Sequence, residues 1–298
     1  MRPALPISTV DEMPTTVGRY HPFERLGGGT TSIVYAATED GSSREVALKM
    51  IVADLADERE TRERFLREAR VTANLRHPNI VSVLDVGEDD GRPFIVMERL
   101  RGVGLRAYLQ SAAAASLDRR LDLMRQLCDG LQAAHDSGVI HRDIKPSNLF
   151  IEPDGRLKIL DFGLARLQAS TLTASGQIVG TPHFMSPEQA MGRQVDARSD
   201  IFSAGAVGYL IITNRLPFSA PDLRQTLHAL LNDAPAPITE TEAPPAVAAI
   251  LAKALAKAPD DRYASCAAMR ADLQHPRGTP QTVAVWKRIA SYVGVLRS

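Results

Sequence analysis

Residues 141–148 concentrate several chemically active side chains in one short segment. The segment carries an acid, Asp143, two bases and an amide, Asn148, within eight residues. Pro146 excludes a helix here, so we predict a loop that leads into a strand at 149–151. Taken alone, the segment is equally compatible with an exposed polar loop before a strand.

A further aspartate, Asp161, begins the sequence Asp-Phe-Gly directly after the strand-like run 157–160. A loop with an aspartate and an asparagine, followed by a strand ending in Asp-Phe-Gly, resembles the catalytic and metal-binding half of the protein kinase signature. The resemblance implies that Asp143 takes the proton of the substrate hydroxyl. It also implies that Asn148 and Asp161 hold Mg²⁺ across the phosphates of ATP, with Mn²⁺ as the alternative ion.

Lys49 lies in the short apolar strand 46–50, where a lysine is costly unless it is paired or reaches solvent at the strand end. The next predicted helix spans about 57–75, and helical spacing places Glu68 on its apolar arc. A carboxylate on an apolar arc needs a cation, so we expect Glu68 to pair with Lys49; the alternative is a surface glutamate. In kinases such a pair holds the α- and β-phosphates.

Glycines separate two strand-like runs near the start of the chain, 20–26 and 33–37, and this pattern predicts a hairpin. A plain flexible turn would have the same pattern. In the glycine-rich loop of kinases, Gly27 and Gly29 would let backbone N–H groups approach the triphosphate. The third glycine of that pattern is Ser32 here, from which we expect altered loop mobility and retained nucleotide binding.

The run 94–102 reads as a strand entering a linker, although an edge strand and turn would look the same. The resemblance places Met97 at the back of a nucleotide pocket and the backbone near Glu98 and Leu100 against the adenine edge. The full set of residues that the resemblance assigns to ATP is Leu26, Gly27, Gly28, Gly29, Thr30, Thr31, Ser32, Ile33, Val34, Ala47, Lys49, Met97, Glu98, Leu100 and Leu149.

A Ser/Thr-rich stretch without periodicity, 164–178, precedes Ser-Pro-Glu at 186–188 and resembles a kinase activation segment. Thr171 and Thr173 are the favoured phosphorylation sites, and Arg142 is the candidate partner for the added charge. Each hydroxyl could equally remain unmodified. By resemblance, Thr181 would brace the catalytic residues Asp143 and Lys145, and Lys145 would lie near the γ-phosphate.

The larger C-terminal part reads as helical. Residues 121–137 form an amphipathic pattern that leads into the catalytic loop. Asp200 precedes the apolar run 201–212 and is by default an N-cap, while the resemblance adds a role in bracing the loop backbone. The resemblance also pairs Arg262 with Glu188; a surface arginine is the alternative.

Composition excludes several classes of protein. Lysine plus arginine and aspartate plus glutamate both number 35, which argues against nucleic acid as a partner. Cys128 and Cys266 lie in apolar helical patterns and are expected to be core residues in a reducing compartment. No signal peptide or membrane-spanning run is apparent, so we expect a cytoplasmic protein.

The ordered set of motifs resembles serine/threonine protein kinases of the eukaryotic-like bacterial type. The implied fold class is α+β, a bilobal protein kinase fold with a small β-rich N-lobe containing one main helix and a larger, mostly α-helical C-lobe. We expect a disordered lead-in at 1–18, a kinase domain at 19–274 and a linker with a short basic tail at 275–298. The N-lobe would span about 19–100 and the C-lobe about 101–274.

The resemblance implies transfer of the γ-phosphate of ATP to Ser/Thr hydroxyls of proteins, including the chain's own activation loop through transient self-association. Lys145, two residues after Asp143, is the serine/threonine-type arrangement. One alternative is a pseudokinase that binds nucleotide as a scaffold. Another is a small-molecule kinase of similar fold, which would not be expected to carry the activation segment. The protein substrates are not encoded in any motif.

Overall fold

The computed structural model describes residues 13–29, 32–52, 62–63, 65–66, 69, 72–114, 116–162 and 182–276. The chain separates into two compact units. The first comprises residues 1–76 and 81–100, and the second comprises residues 77–80 and 101–298.

A five-stranded antiparallel sheet, in the order β1-β2-β3-β5-β4, forms the centre of the first unit. Its strands are β1 (Tyr20–Gly28), β2 (Ser32–Glu39), β3 (Glu45–Ile51), β4 (Val83–Asp89) and β5 (Arg92–Glu98). Alternation of side chains across the strands places the apolar residues of one face in a core that includes Tyr35, Leu48 and Val96. The predicted hairpin of β1 and β2 is confirmed.

Ordered contacts of the first unit already occur at residue 17, within the segment expected to be a lead-in. Val17 is fully buried in the sheet's core. Its backbone pairs with Tyr20 through two hydrogen bonds of 2.9 and 3.0 Å, and Gly18 provides the left-handed turn at φ +56°. Burial of the valine side chain removes apolar surface from water and holds this segment on the sheet.

The helix predicted at about 57–75 is present where the structure describes it, at positions between 62 and 73. Phe65 and Ala69 are 1% and 3% exposed, and Thr72 and Leu75 are also buried, which confirms the apolar arc. Glu68 lies outside the described residues.

The second unit contains a small antiparallel sheet of β6 (Val103–Gly104), β7 (Leu149–Ile151) and β8 (Leu157–Ile159). Its described residues also form seven α-helices, with 3₁₀ turns between some of them. The helices are α1 (Leu105–Leu109), α2 (Leu117–Asp136), α3 (Pro187–Ala190), α4 (Ala197–Thr213), α5 (Leu223–Asn232), α6 (Pro245–Ala254) and α7 (Cys266–Gln274).

Helix α4 is the core of the second unit, and every residue from Ser199 to Ile212 is buried. Two glycines allow close packing, since an added Cβ would lie 2.8 Å from Ala254 Cβ at Gly205 and 2.7 Å from Met124 Cε at Gly208. A helix that is apolar on all sides belongs in such a core.

The N-cap of α4 is Asp196, whose carboxylate accepts from the Arg198 N–H. The default expectation of an N-cap at Asp200 is therefore wrong, because Asp200 lies within the first turn. Helix α2 likewise begins before the predicted residue 121, since the Ser116 side chain accepts from Arg119 N–H and starts the helix at Leu117.

Residues 77–80 belong to the second unit, although the expected N-lobe spanned 19–100. The Asn79 amide nitrogen donates to Leu157 O at 2.9 Å and to Gln126 Oε1 at 3.0 Å, and Asn79 O accepts from Ile159 N. These bonds fasten the segment to β8 and α2, a long-range contact that local sequence pattern does not encode.

Both cysteines are buried and unpaired, as predicted for core residues. Burial raises the pKa of the Cys128 thiol to about 12, and it raises that of Cys266 as well. Within the described part of the chain, no helix combines the length and apolarity that a bilayer crossing requires.

We predict that Gly102→Ala destabilises the second unit by about 1–3 kcal/mol, the cost of overpacking against rigid neighbours. A Cβ at this position would lie 1.7 Å from Ile151 O and 2.8 Å from Glu152 Cα, both backbone atoms. Gly104→Ala is the matched control, because an added Cβ there meets nothing within 4 Å. Urea unfolding followed by circular dichroism measures both; equal stabilities for the two variants would contradict the prediction.

Candidate active site

Residues 141–148 adopt an irregular loop whose start is held by one carboxylate. Asp200 of α4 accepts hydrogen bonds from His141 N and Arg142 N, each at 2.8 Å. Arg142 has φ +67°, a left-handed conformation that non-glycine residues rarely adopt and that costs roughly 1–2 kcal/mol. The two charge-assisted bonds stabilise this strained turn, so the expected bracing role of Asp200 is confirmed.

His135 supplies the third contact of that carboxylate. Its Nε2 lies 2.8 Å from Asp200 Oδ2, and the side chains are 7% and 1% exposed. A buried carboxylate needs several donors to offset its lost hydration, and here it has three. The sequence analysis placed His135 on the apolar face of α2 and assigned it no further role. A polar ring on an apolar face was the signal that it has a buried polar partner.

His141 joins the loop to the strand that precedes Asp161. Its Nδ1 accepts from Asp143 N at 3.2 Å, which assigns the ring hydrogen to Nε2, and Nε2 donates to Leu160 O at 2.8 Å. The ring is fully buried and lies 4.6 Å from that of Phe162. A role for this histidine ring was not predicted.

Asp143 is surrounded by the two other polar groups of the loop. Lys145 Nζ lies 2.7 Å from Asp143 Oδ2, and Asn148 Nδ2 donates to Asp143 O at 2.8 Å and to Oδ2 at 3.1 Å. Lys145 Nζ and Asn148 Nδ2 therefore contact the same carboxylate oxygen, Oδ2 of Asp143. The Asp143 and Lys145 side chains are 27% and 34% exposed, so they remain accessible to a substrate.

A short 3₁₀ helix, Pro146–Asn148, forms where the sequence predicted only a loop. Pro146 occupies its first position, where the missing N–H is not needed and the fixed φ favours helical geometry. The exclusion of any helix by Pro146 is thus wrong for one tight turn. This turn places Asn148 back over Asp143.

Asp161 follows β8 with φ +56°, a conformation that aspartate tolerates better than most residues. Leu160 N donates to Asn148 O at 2.9 Å, so the two candidate metal ligands lie on directly hydrogen-bonded backbone segments. Gly163 and residues 164–181, including the candidate sites Thr171, Thr173 and Thr181, lie outside the described residues.

Glu188 and Arg262 form a buried, bidentate ion pair, as the resemblance implied. Arg262 Nη1 and Nη2 lie 2.7 and 2.8 Å from the two carboxylate oxygens, and the Ser199 hydroxyl also donates to Glu188. Burial alone would raise the pKa of Glu188, but the bonds from Arg262 and Ser199 outweigh it and lower the pKa to about 2. Next to Glu188, Gln189 Nε2 donates to Arg142 O at 2.6 Å.

In the first unit, four residues assigned to ATP share one face of the sheet. Val34 is paired with Lys49 across β2 and β3, and Ala47 is paired with Met97 across β3 and β5. Ala47 and Lys49 are two residues apart on one strand and therefore point the same way. The Lys49 side chain is buried on this face, at 5% exposure.

Other residues assigned to ATP differ in their surroundings. Ile33 points to the opposite face and belongs to the hydrophobic core, so its side chain does not lie beside that of Val34. The Leu26 side chain is 43% exposed, and an added Cβ at Gly27 or Gly29 would meet nothing within 4 Å. Thr30 and Thr31 lie outside the described residues, whereas Ser32 begins β2 and Gly28 ends β1.

The linker residue Glu98 is fixed to the preceding segment at two points. Its Oε1 accepts from Ser82 N at 2.7 Å, and its own N–H donates to Ser82 O at 3.0 Å. Leu100 follows as the last residue of the first unit, half-buried. Leu149, the remaining residue assigned to ATP, is fully buried in β7 of the second unit.

Residues 20–276 match the family model described as protein kinase domain. A probable serine/threonine-protein kinase of Corynebacterium efficiens is 40% identical over 269 residues, which cover 86% of this chain and 41% of that protein. PknB of Mycolicibacterium smegmatis and PrkC of Bacillus subtilis, both named serine/threonine-protein kinases, are 40% and 37% identical over 86% of the chain. The chain spans about two fifths of these relatives' lengths, 42% and 40% for the last two.

The crystal structure of the PknI kinase domain from Mycobacterium tuberculosis matches this structure with a TM-score of 0.68. The two chains are 26% identical, and the match covers 88% of this chain and 97% of that one. The expected fold, a β-rich N-lobe and a helical C-lobe, is confirmed by the elements of the two units and by this likeness.

We predict that the stabilising effect of Glu188 disappears in acid. Its pKa in the folded protein, about 2, lies below the ordinary value of 4.5, so the unfolded chain binds the proton more tightly. The contribution, on the order of 3 kcal/mol, is complete above about pH 4.5 and is lost as the pH falls toward 2.

Denaturant unfolding of the wild type and of Glu188→Gln across this pH range measures the effect as a difference in unfolding free energy. The difference should shrink steadily from pH 5 to the lowest pH at which both proteins fold. Asp154→Asn, at an exposed carboxylate paired with Arg156, is the control. A wild-type advantage that does not change with pH would contradict the prediction.

Proposed function

Because the chain belongs to the protein kinase family, we propose that it transfers the γ-phosphate of ATP to serine or threonine hydroxyls of proteins. The observation that carries the proposal is the arrangement of Lys145 and Asn148 around the Asp143 carboxylate. The names of the relatives, all serine/threonine-protein kinases, support the acceptor class.

Asp143 is proposed to receive the hydroxyl proton as the phosphoryl group is transferred. Lys145 and Asn148 both contact Oδ2, so the substrate hydroxyl would approach the carboxylate from the side of Oδ1. Phosphoryl transfer needs little covalent help from the protein, and its rate depends mainly on positioning and on charge stabilisation. Lys145, held by Asp143 in this structure, would turn toward the γ-phosphate when ATP is bound.

Members of this family use ATP with a divalent metal ion, and we propose Mg²⁺ here, with Mn²⁺ as the alternative. The chain offers Asn148 and Asp161, both hard oxygen ligands. Because Asn148 Nδ2 donates to Asp143, its Oδ1 is the atom proposed to bind metal. No cluster of three or more His, Cys, Asp or Glu ligands occurs among the described residues. A donor set of only Asn148 and Asp161 suits Mg²⁺, because this ion usually keeps several waters and also binds the phosphates of the substrate. The bound ion would neutralise phosphate charge.

The adenine and phosphate groups are proposed to lie against the face of the sheet that carries Val34, Ala47, Met97 and Lys49. Three apolar side chains on this face suit a purine ring, and the buried ammonium of Lys49 suits the α- and β-phosphates. Glu68 remains the proposed partner of Lys49. The glycines at 27–29 are proposed to bring backbone N–H groups to the phosphates.

Arg142 is proposed to bind a phosphate on the activation segment. Its backbone is fixed by Asp200 and Gln189, and no ion pair involves its guanidinium within the described part of the chain. We propose Thr171 and Thr173 as the acceptors, modified during transient self-association, with Thr181 bracing the catalytic loop. A cytoplasmic location is part of the same proposal, and ATP as the proposed substrate supports it.

We predict that Asp143→Asn lowers transfer of labelled γ-phosphate to a generic acceptor protein by at least about 100-fold, because the general base is lost. ATP binding, measured by calorimetry, should persist, since the change removes no residue assigned to the nucleotide. Asp154→Asn, at a solvent-exposed carboxylate paired with Arg156, is the matched control. Retained transfer in the Asp143 variant would refute the assigned role.

The same assay separates the two alternatives. A pseudokinase would bind ATP and transfer no label in the wild type. Label found on metabolites, and never on protein or on the chain itself, would favour a small-molecule kinase. Mass spectrometry of the wild-type protein after incubation with Mg-ATP identifies the modified hydroxyls.

A further inference from the structure

One arginine of the linker, Arg99, contacts two strands of the first unit, the edge strand β1 and the central strand β3. Arg99 Nη1 lies 2.6 Å from Glu45 Oε2 at the start of β3, and Nη2 lies 2.8 Å from Glu24 Oε2 on β1. Its guanidinium carbon also lies 5.3 Å from the centre of the Phe23 ring. We call these four residues, Arg99, Glu24, Glu45 and Phe23, the linker clamp. The Arg99 side chain is only 16% exposed.

An irregularity in β1 makes the clamp possible. The pairing of β1 with β2 shifts between Pro22, opposite Ala37, and Glu24, opposite Ala36, so Phe23 is an extra residue. Successive side chains of a regular strand point to opposite faces, whereas a bulge re-aims them. Phe23 and Glu24 are consecutive, yet both contact the same guanidinium. The bulge thus lets both side chains reach Arg99.

Glu45 is brought to Arg99 by the strand register. Val46 is paired with Glu98 across β3 and β5, so the residue before Val46 and the residue after Glu98 are neighbours. Glu98 itself is fixed on its other side by Ser82. Consecutive linker residues are therefore held by separate contacts, Glu98 by Ser82 and Arg99 by Glu45 and Glu24.

Isolated exposed ion pairs contribute little, because solvent screens them and ordering two side chains costs entropy. Arg99 differs in that it is mostly buried and contacts two carboxylates and one aromatic ring at once. The clamp therefore fixes the path of the linker relative to β1.

We propose that Arg99 is a positioning residue for the nucleotide base. It fixes the backbone of residues 98–100 relative to β1, the strand that continues into the glycines at 27–29, and so sets the affinity for adenine. This inference rests on the proposed function in one respect: it takes from it that adenine binds beside the linker. Arg99 acts through the backbone and takes no part in phosphoryl transfer.

Adenosine is the sharpest probe, because it carries the base and has no charge of its own. We expect Arg99→Ala to weaken adenosine and ADP binding by the same factor, about tenfold, since both lose the same base contacts. The kcat at saturating ATP should stay within about twofold of the wild-type value while KM for ATP rises. Arg99→Lys keeps the positive charge but loses the two-pronged guanidinium that contacts both carboxylates. Its affinity for adenosine should lie between those of the wild type and Arg99→Ala.

Salt provides an independent measurement. Raising NaCl from about 0.05 to 0.5 M should weaken adenosine binding to the wild type, because salt screens the clamp's own ion pairs. The Arg99→Ala protein should show no such dependence. Arg156→Ala, which removes an exposed ion pair with Asp154 in the second unit, is the control and should match the wild type.

Adenosine and ADP affinities that stay within twofold of wild type in Arg99→Ala would overturn the proposal. A lower melting temperature with unchanged adenosine affinity would also overturn it, by showing a purely structural role. If Arg99→Ala fails to fold, Arg99→Lys and Glu24→Gln carry the same test. A wild type that binds adenosine in a clamp-dependent way but never transfers phosphate would support the clamp and refute the proposed function.

Discussion

The buried carboxylate of Asp200 is the interaction on which the second unit's candidate site depends. A charge at 1% side-chain exposure must be compensated by donors, and Asp200 obtains them from His135 and from two consecutive backbone N–H groups of the catalytic loop. Those N–H groups can point at one carboxylate because Arg142 adopts φ +67°. The hydrogen bonds to the buried carboxylate thus offset the strain at Arg142. The resulting loop conformation fixes the backbone that carries Asp143.

Further contacts extend from this point through the second unit. His141 connects the loop to Leu160, the residue before Asp161, and Gln189 connects Arg142 to the segment that contains Glu188. Glu188 in turn is held by Arg262 and by Ser199, one residue before Asp200 on α4. The candidate base, the candidate metal ligand and the segment at 186–188 are all connected to the same buried helix. A rigid scaffold of this kind suits a reaction that depends on positioning.

Much of this could be predicted from the sequence, because it follows from local pattern or from ordered motifs. Helical periodicity predicted the buried arc of Phe65 and Ala69, and turn glycines predicted the hairpin of β1 and β2. Motif resemblance predicted the pair of Glu188 and Arg262. Features that depend on tertiary packing were missed, including the His135 ring, the attachment of Asn79 to β8 and the bulge at Phe23. The N-cap of α4 was misassigned because Asp196 and Asp200 both lie near its start, and only the backbone geometry distinguishes them.

The central claim, that Asp200 holds the loop at 141–148 in its observed conformation, can be measured by amide-resolved hydrogen exchange. The amides of His141 and Arg142 should be strongly protected in the wild type, since each donates to the buried carboxylate. In Asp200→Ala they should exchange at least about 100-fold faster, while the amides of Leu127 and Leu131 in α2 stay protected and phosphate transfer is lost. Unchanged protection of both loop amides in that variant, or fast exchange in the wild type, would contradict the account.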